Sequence, residues 1–270
     1  MGRPIDGEMS TTARQLDAII LGAGKGTRMK SDLPKVAFPI GGRAMICAVV
    51  DACLGAGVGR VIVVVGHRQE VVREALRDYR VEFAEQREQL GTGHAVLSAR
   101  SVYAPGGVVP AGRDVLVLCG DGPLIRAETI RDLVARHRAA GAAATLATSV
   151  LDDPAGYGRI IRDAAGKFEA IVEAKNCTPA QKLVREVNPS YYCFESAALF
   201  GALERVERNA VTGEYYLTDV PGLLRAEGRV VEVVASVPPE DVLSINTPEE
   251  LAHVDAIYRS RGGRVEGARA

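Results

Sequence analysis

Short aliphatic runs alternate with segments of helical periodicity along the first 150 residues of the chain. The runs are rich in β-branched residues and predict buried strands, whereas the segments after them repeat their apolar positions as a helix does. This alternation predicts a parallel sheet that helices cover on both faces. The predicted strands are 16–21, 60–65, 81–84, 114–118 and 143–150, and the predicted helices are 44–54, 69–78, 93–101 and 127–140.

The pattern changes after residue 152. Two short runs, 158–162 and 167–172, flank Asp163-Ala164-Ala165-Gly166 and predict an antiparallel hairpin. Because the sequence has no repeat, heptad pattern or low-complexity linker, we expect one continuous domain at residues 15–260. The other elements predicted here are strands at 186–194 and 230–235 and helices at 196–206, 216–226 and 248–259.

Composition narrows the classes of partner. A formal net charge of -1 favours neither nucleic acid nor an anionic membrane, so any phosphate site must depend on locally placed groups. The five cysteines form no CxxC pair and no zinc-ligand spacing, which indicates reduced thiols. The first residues lack the apolar core of a secretory signal, so we expect a cytoplasmic protein. Residues 1–14 and 261–270 are polar and aperiodic and predict disordered tails.

The clearest chemical signal follows the first predicted strand, in Leu21-Gly22-Ala23-Gly24-Lys25-Gly26-Thr27-Arg28. Glycines at alternate positions let several backbone N–H groups point at one anion. A dinucleotide fingerprint would need glycine in place of Thr27, and a P-loop would need Ser or Thr after Lys25. Neither pattern fits. Lys35, stiffened by Pro34, adds a second cation beyond Arg28, so we predict a triphosphate site rather than a turn with two solvated cations.

Seven short motifs follow one another along the chain. They are GAGKGTRMKSDLPK at 22–35, EQREQLGTGHA at 85–95, GDGPL at 120–124, GYGRI at 156–160, IVE at 171–173, EVN at 186–188 and GEYYLTD at 213–219. In this order they resemble the uridyltransferase half of the bacterial bifunctional enzyme of UDP-N-acetylglucosamine synthesis. The resemblance covers about residues 16–258.

This resemblance implies an enzyme of cell wall precursor synthesis that joins UTP to N-acetylglucosamine-1-phosphate and releases pyrophosphate, with Mg²⁺ as cofactor. It implies a Rossmann-like nucleotidyltransferase fold, a mostly parallel sheet flanked by helices. The nucleotide-binding part would be about 15–150, and a sugar-binding lobe with the antiparallel hairpin about 151–260. The trimer-forming acetyltransferase domain of the family is absent from this sequence, so we expect a monomer or weak homo-oligomer without acetyltransferase activity.

The resemblance also implies the residues that hold the nucleotide. The glycine loop, together with Arg28 and Lys35, would bind the phosphates. Gln86, Gly91 and Thr92 would read the uracil ring, for which a side-chain amide and an exposed Gly-Thr-Gly backbone offer uncharged donors and acceptors. By turn propensity alone, a polar turn with Thr92 as the cap of a helix is the less favoured alternative.

Asp121 is the predicted metal ligand. It follows the strand 114–118 at its carboxyl end, where open α/β sheets bind ligands, and a carboxylate suits Mg²⁺. The resemblance adds Asn246 as a second ligand, although its position alone favours a helix cap. We predict in-line attack of the sugar phosphate on the α-phosphorus of UTP, with Arg28, Lys35 and Asp121 as the catalytic residues.

Gly158, Glu173 and Asn188 match the sugar contacts of the family. A backbone N–H, a carboxylate and an amide suit hydroxyl and acetamido groups, although Glu173 alone would equally fit a solvated strand end. Where the family usually reads Asn-Thr-Gly, this chain has Pro189 and Ser190 after Asn188, so a backbone donor and a flexible glycine are lost. The sugar preference therefore stays open between N-acetylglucosamine-1-phosphate and another sugar such as glucose-1-phosphate.

Other residues near the motifs fit a packing role. His67 and His94 are interpreted as turn and helix-start residues, because an anionic phosphate nucleophile needs no general base. Cys119, often aromatic in the family, is interpreted as buried packing, and Gly122 replaces a larger residue. A different nucleotide base and a catalytically silent nucleotide-binding regulatory module remain alternatives, whereas Thr27 argues against a nicotinamide-dependent oxidoreductase.

Overall fold

The computed structural model describes residues 14–29, 31–154 and 156–262. Residues 1–13 and 263–270, nearly all of the two predicted tails, lie outside the described residues. No helix within the described ranges is long and apolar enough to cross a membrane. The strands are β1 (Gln15–Leu21), β2 (Pro39–Ile40), β3 (Arg43–Ala44), β4 (Arg60–Val65), β5 (Glu82–Glu85), β6 (Arg113–Cys119), β7 (Ala144–Val150), β8 (Gly158–Arg162), β9 (Phe168–Val172), β10 (Glu186–Glu195) and β11 (Val231–Val234). The α-helices are α1 (Met45–Gly55), α2 (Gln69–Ala75), α3 (Thr92–Ser98), α4 (Arg100–Tyr103), α5 (Ala127–Ala139), α6 (Pro179–Lys182), α7 (Ser196–Leu203), α8 (Val220–Ala226) and α9 (Pro248–Ser260).

The central sheet is mixed and mostly parallel, as predicted. Its strands run in the order β11-β7-β10-β6-β1-β4-β5, with parallel pairing everywhere except along β10. β10 comes from the second half of the chain and lies antiparallel between β6 and β7. The predicted hairpin is confirmed as the antiparallel pair β8 and β9, which joins the sheet through β10. Strands from both halves of the chain therefore share one sheet.

Several elements differ from their predicted bounds. The predicted helix 93–101 is divided into α3 and α4, because the Ala99 N–H bonds to the carbonyl of Val96 only three residues back and tightens the turn. The predicted helix 216–226 begins only at Val220, after a 3₁₀ turn at Leu217–Asp219. The hairpin of β2 and β3 and the single-turn helix α6 were not predicted, since elements this short show no periodicity.

Alternate residues of the central strands pack on opposite faces of the sheet. In β1, Ala18 and Ile20 join the core beneath α1, α2, α5 and α9, while Ile19 joins the core beneath α3, α4, α7 and α8. The same alternation runs through Val63 and Val64 of β4. Because both faces are buried, these strands read as continuous apolar runs in the sequence.

The register of the parallel strands aligns their carboxyl ends. Leu21 lies opposite both Val64 and Cys119. Just beyond the strand ends, the Gly22 N–H donates to the carbonyl of Val64 at 2.8 Å, and the Gly120 N–H donates to the carbonyl of Leu21 at 2.9 Å. The segments that follow β1 and β6 therefore leave the sheet side by side.

Gly120 allows this close approach, and we expect Gly120→Ala to lower the free energy of unfolding by about 1–3 kcal/mol. A Cβ there would lie 3.0 Å from the Leu21 carbonyl oxygen and 3.1 Å from Val36 Cγ1. The matched control is Gly201→Ala in α7, where a Cβ meets no atom within 4 Å. The control should gain up to about 1 kcal/mol from helix propensity. Urea unfolding measures both, and equal effects would contradict the close-packing argument.

Candidate active site

Hydrogen bonds link four predicted site residues, of which Lys35 is the centre. Lys35 Nζ donates to a carboxylate oxygen of Asp121 and, at 2.8 Å, to Oδ1 of Asn246. The guanidinium of Arg28 donates to the same Asn246 oxygen at 2.7 Å. The Lys35 and Asp121 side chains are 15% and 23% exposed, so this ion pair is partly shielded from water. The structure thus brings together the residues predicted for phosphate binding and those predicted for metal binding.

Asn246 is positioned by the start of α9. The cap of this helix is Thr247, whose Oγ1 accepts from the Glu250 N–H at 3.2 Å. Glu250 in turn accepts from the Asn246 N–H at 2.6 Å, so it fixes the Asn246 backbone. The simple cap interpretation of Asn246 is therefore wrong, and its side-chain amide faces Arg28 and Lys35.

Asp241, which the sequence did not suggest, anchors the segment before Asn246. This carboxylate is fully buried and accepts from Arg126 Nε at 2.6 Å and Arg261 Nη1 at 2.7 Å. Its backbone carbonyl accepts from the Tyr191 hydroxyl at 2.7 Å. A buried carboxylate is stable only when paired, so these contacts fix the segment to the sheet and the last helix.

The glycine loop packs directly on Lys35. Gly26 has a φ of +64°, and a Cβ there would lie 2.7 Å from Lys35 Cβ, so a side chain would be both strained and obstructed. Gln89 Nε2 donates to the Ala23 carbonyl at 2.9 Å and ties the loop to the next motif. A Cβ on Gly24 would meet no atom within 4 Å, so the loop is open at this position.

Two of the motifs dock against each other through their backbones. Gly91 has a φ of +105°, and a Cβ there would lie 2.5 Å from the carbonyl oxygen of Tyr215. The same carbonyl accepts from the Gly93 N–H at 2.8 Å. Thr92 Oγ1 accepts from the Leu217 N–H at 3.0 Å, and the cap position of its helix is held by Gly91. The second glycine motif is therefore shaped for contact with residues 215–217.

Gln86 is buried, and its side-chain amide is held in one orientation. Its Nε2 donates to the carbonyl of Gly91 at 3.1 Å and lies 3.0 Å from Nδ1 of His94. His94, interpreted from the sequence as a helix-start residue, therefore also contacts this amide. A cleft of about 300 Å³ is lined by Lys35, Gln86, Gly91, Thr92 and Asp121, among others. The predicted phosphate, base and metal residues thus share one cleft.

Cys119 differs from its predicted packing role. It is half-buried and lines both this cleft and a smaller neighbouring cavity of about 30 Å³. Burial, with a smaller contribution from the Asp121 carboxylate, raises the pKa of the Cys119 thiol to about 12. A raised pKa favours the protonated thiol, which is a poor nucleophile, so Cys119 fits a place in the cleft wall.

The predicted sugar residues occupy two different environments. Glu173 follows β9 and lines the small cavity, and it accepts from the Thr218 hydroxyl at 3.0 Å. Gly158 pairs with Asn188 in the sheet, and a Cβ on Gly158 would lie 3.7 Å from a Glu173 carboxylate oxygen. The Asn188 amide is engaged within the protein, since Nδ2 donates to the Tyr192 hydroxyl at 2.6 Å.

Ser190 shows how the chain accommodates its departure from the family pattern. The residue has a φ of +65°, in the left-handed region that favours glycine, and lies where the register of β10 shifts between Val187 and Tyr191. Asn188 Oδ1 accepts from the Ser190 N–H at 3.2 Å and stabilises this turn. The serine therefore keeps the backbone conformation that a glycine would adopt, and it adds a side chain to the wall of the small cavity.

Glu173 predicts a pH dependence of stability. Burial raises the pKa of this carboxyl above its ordinary value of 4.5, so the folded state favours the protonated form. The native protein should lose stability as the pH rises from 4.5 through the raised pKa. Glu173→Gln should remove this loss, so its stability gain over the native protein should grow with pH. Exposed Glu169, on the strand that Glu173 follows, takes the same substitution as a control. Unfolding curves at pH 4–8 test the prediction, and a gain that is constant with pH would contradict it.

Comparison with known proteins identifies the class to which this fold and cleft belong. Residues 18–213 match the MobA-like NTP transferase domain, and the chain belongs to this family of nucleotidyltransferases. The resemblance found in the motifs is confirmed by relatives that carry the name bifunctional protein GlmU.

Three of these relatives show the extent of the likeness. The protein of Heliobacterium modesticaldum is 46% identical over 244 residues, which are 90% of this chain and 52% of the relative. That of Pelotomaculum thermopropionicum is 47% identical over 246 residues, 91% of this chain and 52% of the relative. That of Desulfotalea psychrophila is 43% identical over 249 residues, 92% of this chain and 72% of the relative. The chain spans about half the length of the first two relatives.

Proposed function

We propose that this chain joins UTP to N-acetylglucosamine-1-phosphate, giving UDP-N-acetylglucosamine and pyrophosphate. One observation carries the proposal: Arg28 and Lys35 meet Asp121 and Asn246 beside the glycine loop, in the cleft that Gln86 also lines. Cations and oxygen ligands at one point suit a triphosphate, and the fixed amide suits an uncharged base. The similarity to the GlmU relatives supports the choice of a sugar phosphate as the acceptor.

The proposed reaction is a direct displacement at phosphorus. An oxygen of the sugar phosphate forms a bond to the α-phosphorus of UTP, and the bond to the pyrophosphate oxygen breaks. No general base is needed, because the attacking oxygen is already anionic at neutral pH. Arg28 and Lys35 would offset the charge that develops on the departing pyrophosphate, and the N–H groups of the loop would add to this effect.

Asp121 and Asn246 fit a divalent cation. Their side-chain oxygens already accept hydrogen bonds from one cation, the Lys35 ammonium group. No cluster of three His, Cys, Asp or Glu side chains occurs in the described part of the chain, so phosphate and water oxygens would complete the shell, as is usual for Mg²⁺. When bound, the ion would supply neutralisation of the two anionic substrates.

The acceptor sugar is proposed to lie between the cleft and the small cavity. Glu173, Thr218 and Ser190 line this cavity, which shares Thr92 and Cys119 with the cleft. Carboxylate and hydroxyl groups suit the hydroxyl and acetamido groups of a hexosamine. Gly158 and Asn188 would act by shaping the wall that carries these side chains.

The state of the cysteines bears on the compartment in which the protein acts. None of the five cysteines is paired in a disulfide, which fits the predicted reduced thiols. We propose a cytoplasmic enzyme that acts on small molecules as a monomer or weak homo-oligomer, without nucleic acid or membrane partners.

Substitution of the clustered residues tests the activity. Lys35→Ala and Asp121→Asn should each lower kcat by about 100- to 1,000-fold, because each removes one preorganised charge or ligand. Pyrophosphate release with Mg²⁺, UTP and N-acetylglucosamine-1-phosphate measures this effect, with glucose-1-phosphate and other nucleotides in the same panel. Asp78→Asn, at an exposed site that does not line the cleft, is the control. Near-normal turnover in the site variants would overturn the assignment, and UTP binding without turnover in the native protein would favour a silent regulatory module.

The Lys35 contacts also predict a change in metal affinity. Because its ammonium group occupies the Asp121 and Asn246 oxygens, Lys35→Ala should bind Mn²⁺ at least tenfold more tightly without nucleotide. Lys25→Ala removes the same charge from an exposed position in the same loop and is the matched control. Electron paramagnetic resonance titration of free Mn²⁺ measures both affinities. Unchanged or weaker binding by Lys35→Ala would show that the ammonium group does not compete for these ligands.

A further inference from the structure

A third cavity lies at the opposite edge of the sheet from the cleft lined by Lys35, Gln86 and Asp121, which we call the nucleotide cleft. Its volume is about 620 Å³, roughly twice that of the cleft. It opens at the amino ends of β1, β4 and β6, between residues 56–59 after α1 and the second half of α5. Because the three strands are parallel, this edge is separated from the glycine loop by the full length of β1.

The walls of this cavity carry an excess of positive charge. The guanidinium groups of these walls pair with three carboxylates, which belong to Asp17, Glu82 and Asp114. Five arginines against three carboxylates leave two positive charges in excess. The five lining arginines are Arg14, Arg60, Arg113, Arg131 and Arg138.

Three of the arginines have structural partners. Asp17 is 2% exposed and accepts from Arg113 at 2.8 Å, and the fully buried Asp114 accepts from Arg138 at 2.6 Å. Arg60 pairs with Glu82 and also donates to two backbone carbonyls. These contacts stabilise buried carboxylates and strand ends, so they explain why the three arginines are present.

The other two arginines have no carboxylate of their own among the described residues. Arg131 Nη1 donates only to the carbonyl of Gly55, at 2.8 Å. Arg14 Nη1 lies 3.4 Å from an oxygen of Asp114, whose charge Arg138 already balances. Both side chains are exposed at the rim of one cavity. Two such planar donors suit an anion that accepts paired hydrogen bonds, above all a phosphate.

We propose that this cavity binds a small organic anion with at least two negative charges, such as a phosphorylated metabolite. Arg14 and Arg131 would contact the anionic groups, and Leu16, Val134 and Ala135 would contact the organic part. A cavity of this size accommodates a small metabolite. The site is independent of the proposed nucleotidyl transfer, with which it shares no residue.

Site-resolved binding of inorganic pyrophosphate tests the proposal. Amide NMR signals of Gly57 and Gly59 report on the cavity that these glycines line. The signals of Gly24, which lines the nucleotide cleft, and of Gly26 in the same loop report on the cleft. At constant ionic strength, pyrophosphate should shift the Gly57 and Gly59 signals in a saturable way. In the double variant Arg14→Gln/Arg131→Gln, the affinity measured at these two glycines should fall at least tenfold. Gly24 and Gly26 should respond as in the native protein.

The controls separate a built site from general charge attraction. Arg77→Gln/Arg205→Gln removes the same charge from exposed helix ends elsewhere and should leave the Gly57 and Gly59 response unchanged. Acetate at equal ionic strength should not reproduce the shifts. The proposal is overturned if Gly57 and Gly59 do not respond to pyrophosphate, if they respond equally in the double variant, or if the control pair loses the response too. If only the signals of Gly24 and Gly26 fail to shift with pyrophosphate, the result would instead count against the proposed nucleotidyl transfer.

Discussion

The shared level at which β1, β4 and β6 end is the constraint on which the site depends. Leu21 is opposite Val64 on one side and Cys119 on the other, so the turns after β1 and β6 emerge together. Gly22 and Gly120 keep them together, because each donates its N–H to the neighbouring strand where a side chain would be crowded. The glycine loop proposed to bind phosphates and the carboxylate proposed to bind a cation therefore become neighbours through backbone geometry alone.

Hydrogen bonds from a charged side chain then join these turns to the segment before α9. Lys35 cross-links Asp121, which follows β6, to Asn246, which precedes α9, so three distant segments of the chain converge on one ammonium group. Buried Asp241 fixes the last of these segments to the ends of α5 and α9 through its side chain and to β10 through its backbone carbonyl. In this arrangement the protein neutralises its own cations with its own oxygens. Under the proposed function, substrate phosphates would replace these oxygens as partners of the cations, and a divalent ion would replace the cations as partner of the oxygens. The internal pairing stabilises the site when no ligand is bound.

The hydrophobic pattern and the turn residues were sufficient to predict the parallel strands and the glycine loop, because each of these depends on local sequence. They were insufficient where a distant segment decides the outcome. Nothing in residues 186–195 shows that this strand inserts antiparallel between β6 and β7. That insertion places the Asn188 amide on Tyr192 and puts Ser190 in a left-handed turn. Cys119 was misjudged for a related reason, since burial of a strand end depends on which loops cover it.

The two edges of the sheet solve the problem of buried charge differently. At the carboxyl edge, Lys35 shares its ammonium group between Asp121 and Asn246, and the balance is local. At the amino edge, the buried carboxylates of Asp17 and Asp114 require arginines, yet more guanidinium groups are present than these carboxylates can neutralise. Burial of the acids explains the paired arginines but gives no reason for the surplus at one rim. A surplus that folding does not require is better explained by a ligand than by stability, because like charges held close together lower the stability of the unliganded protein.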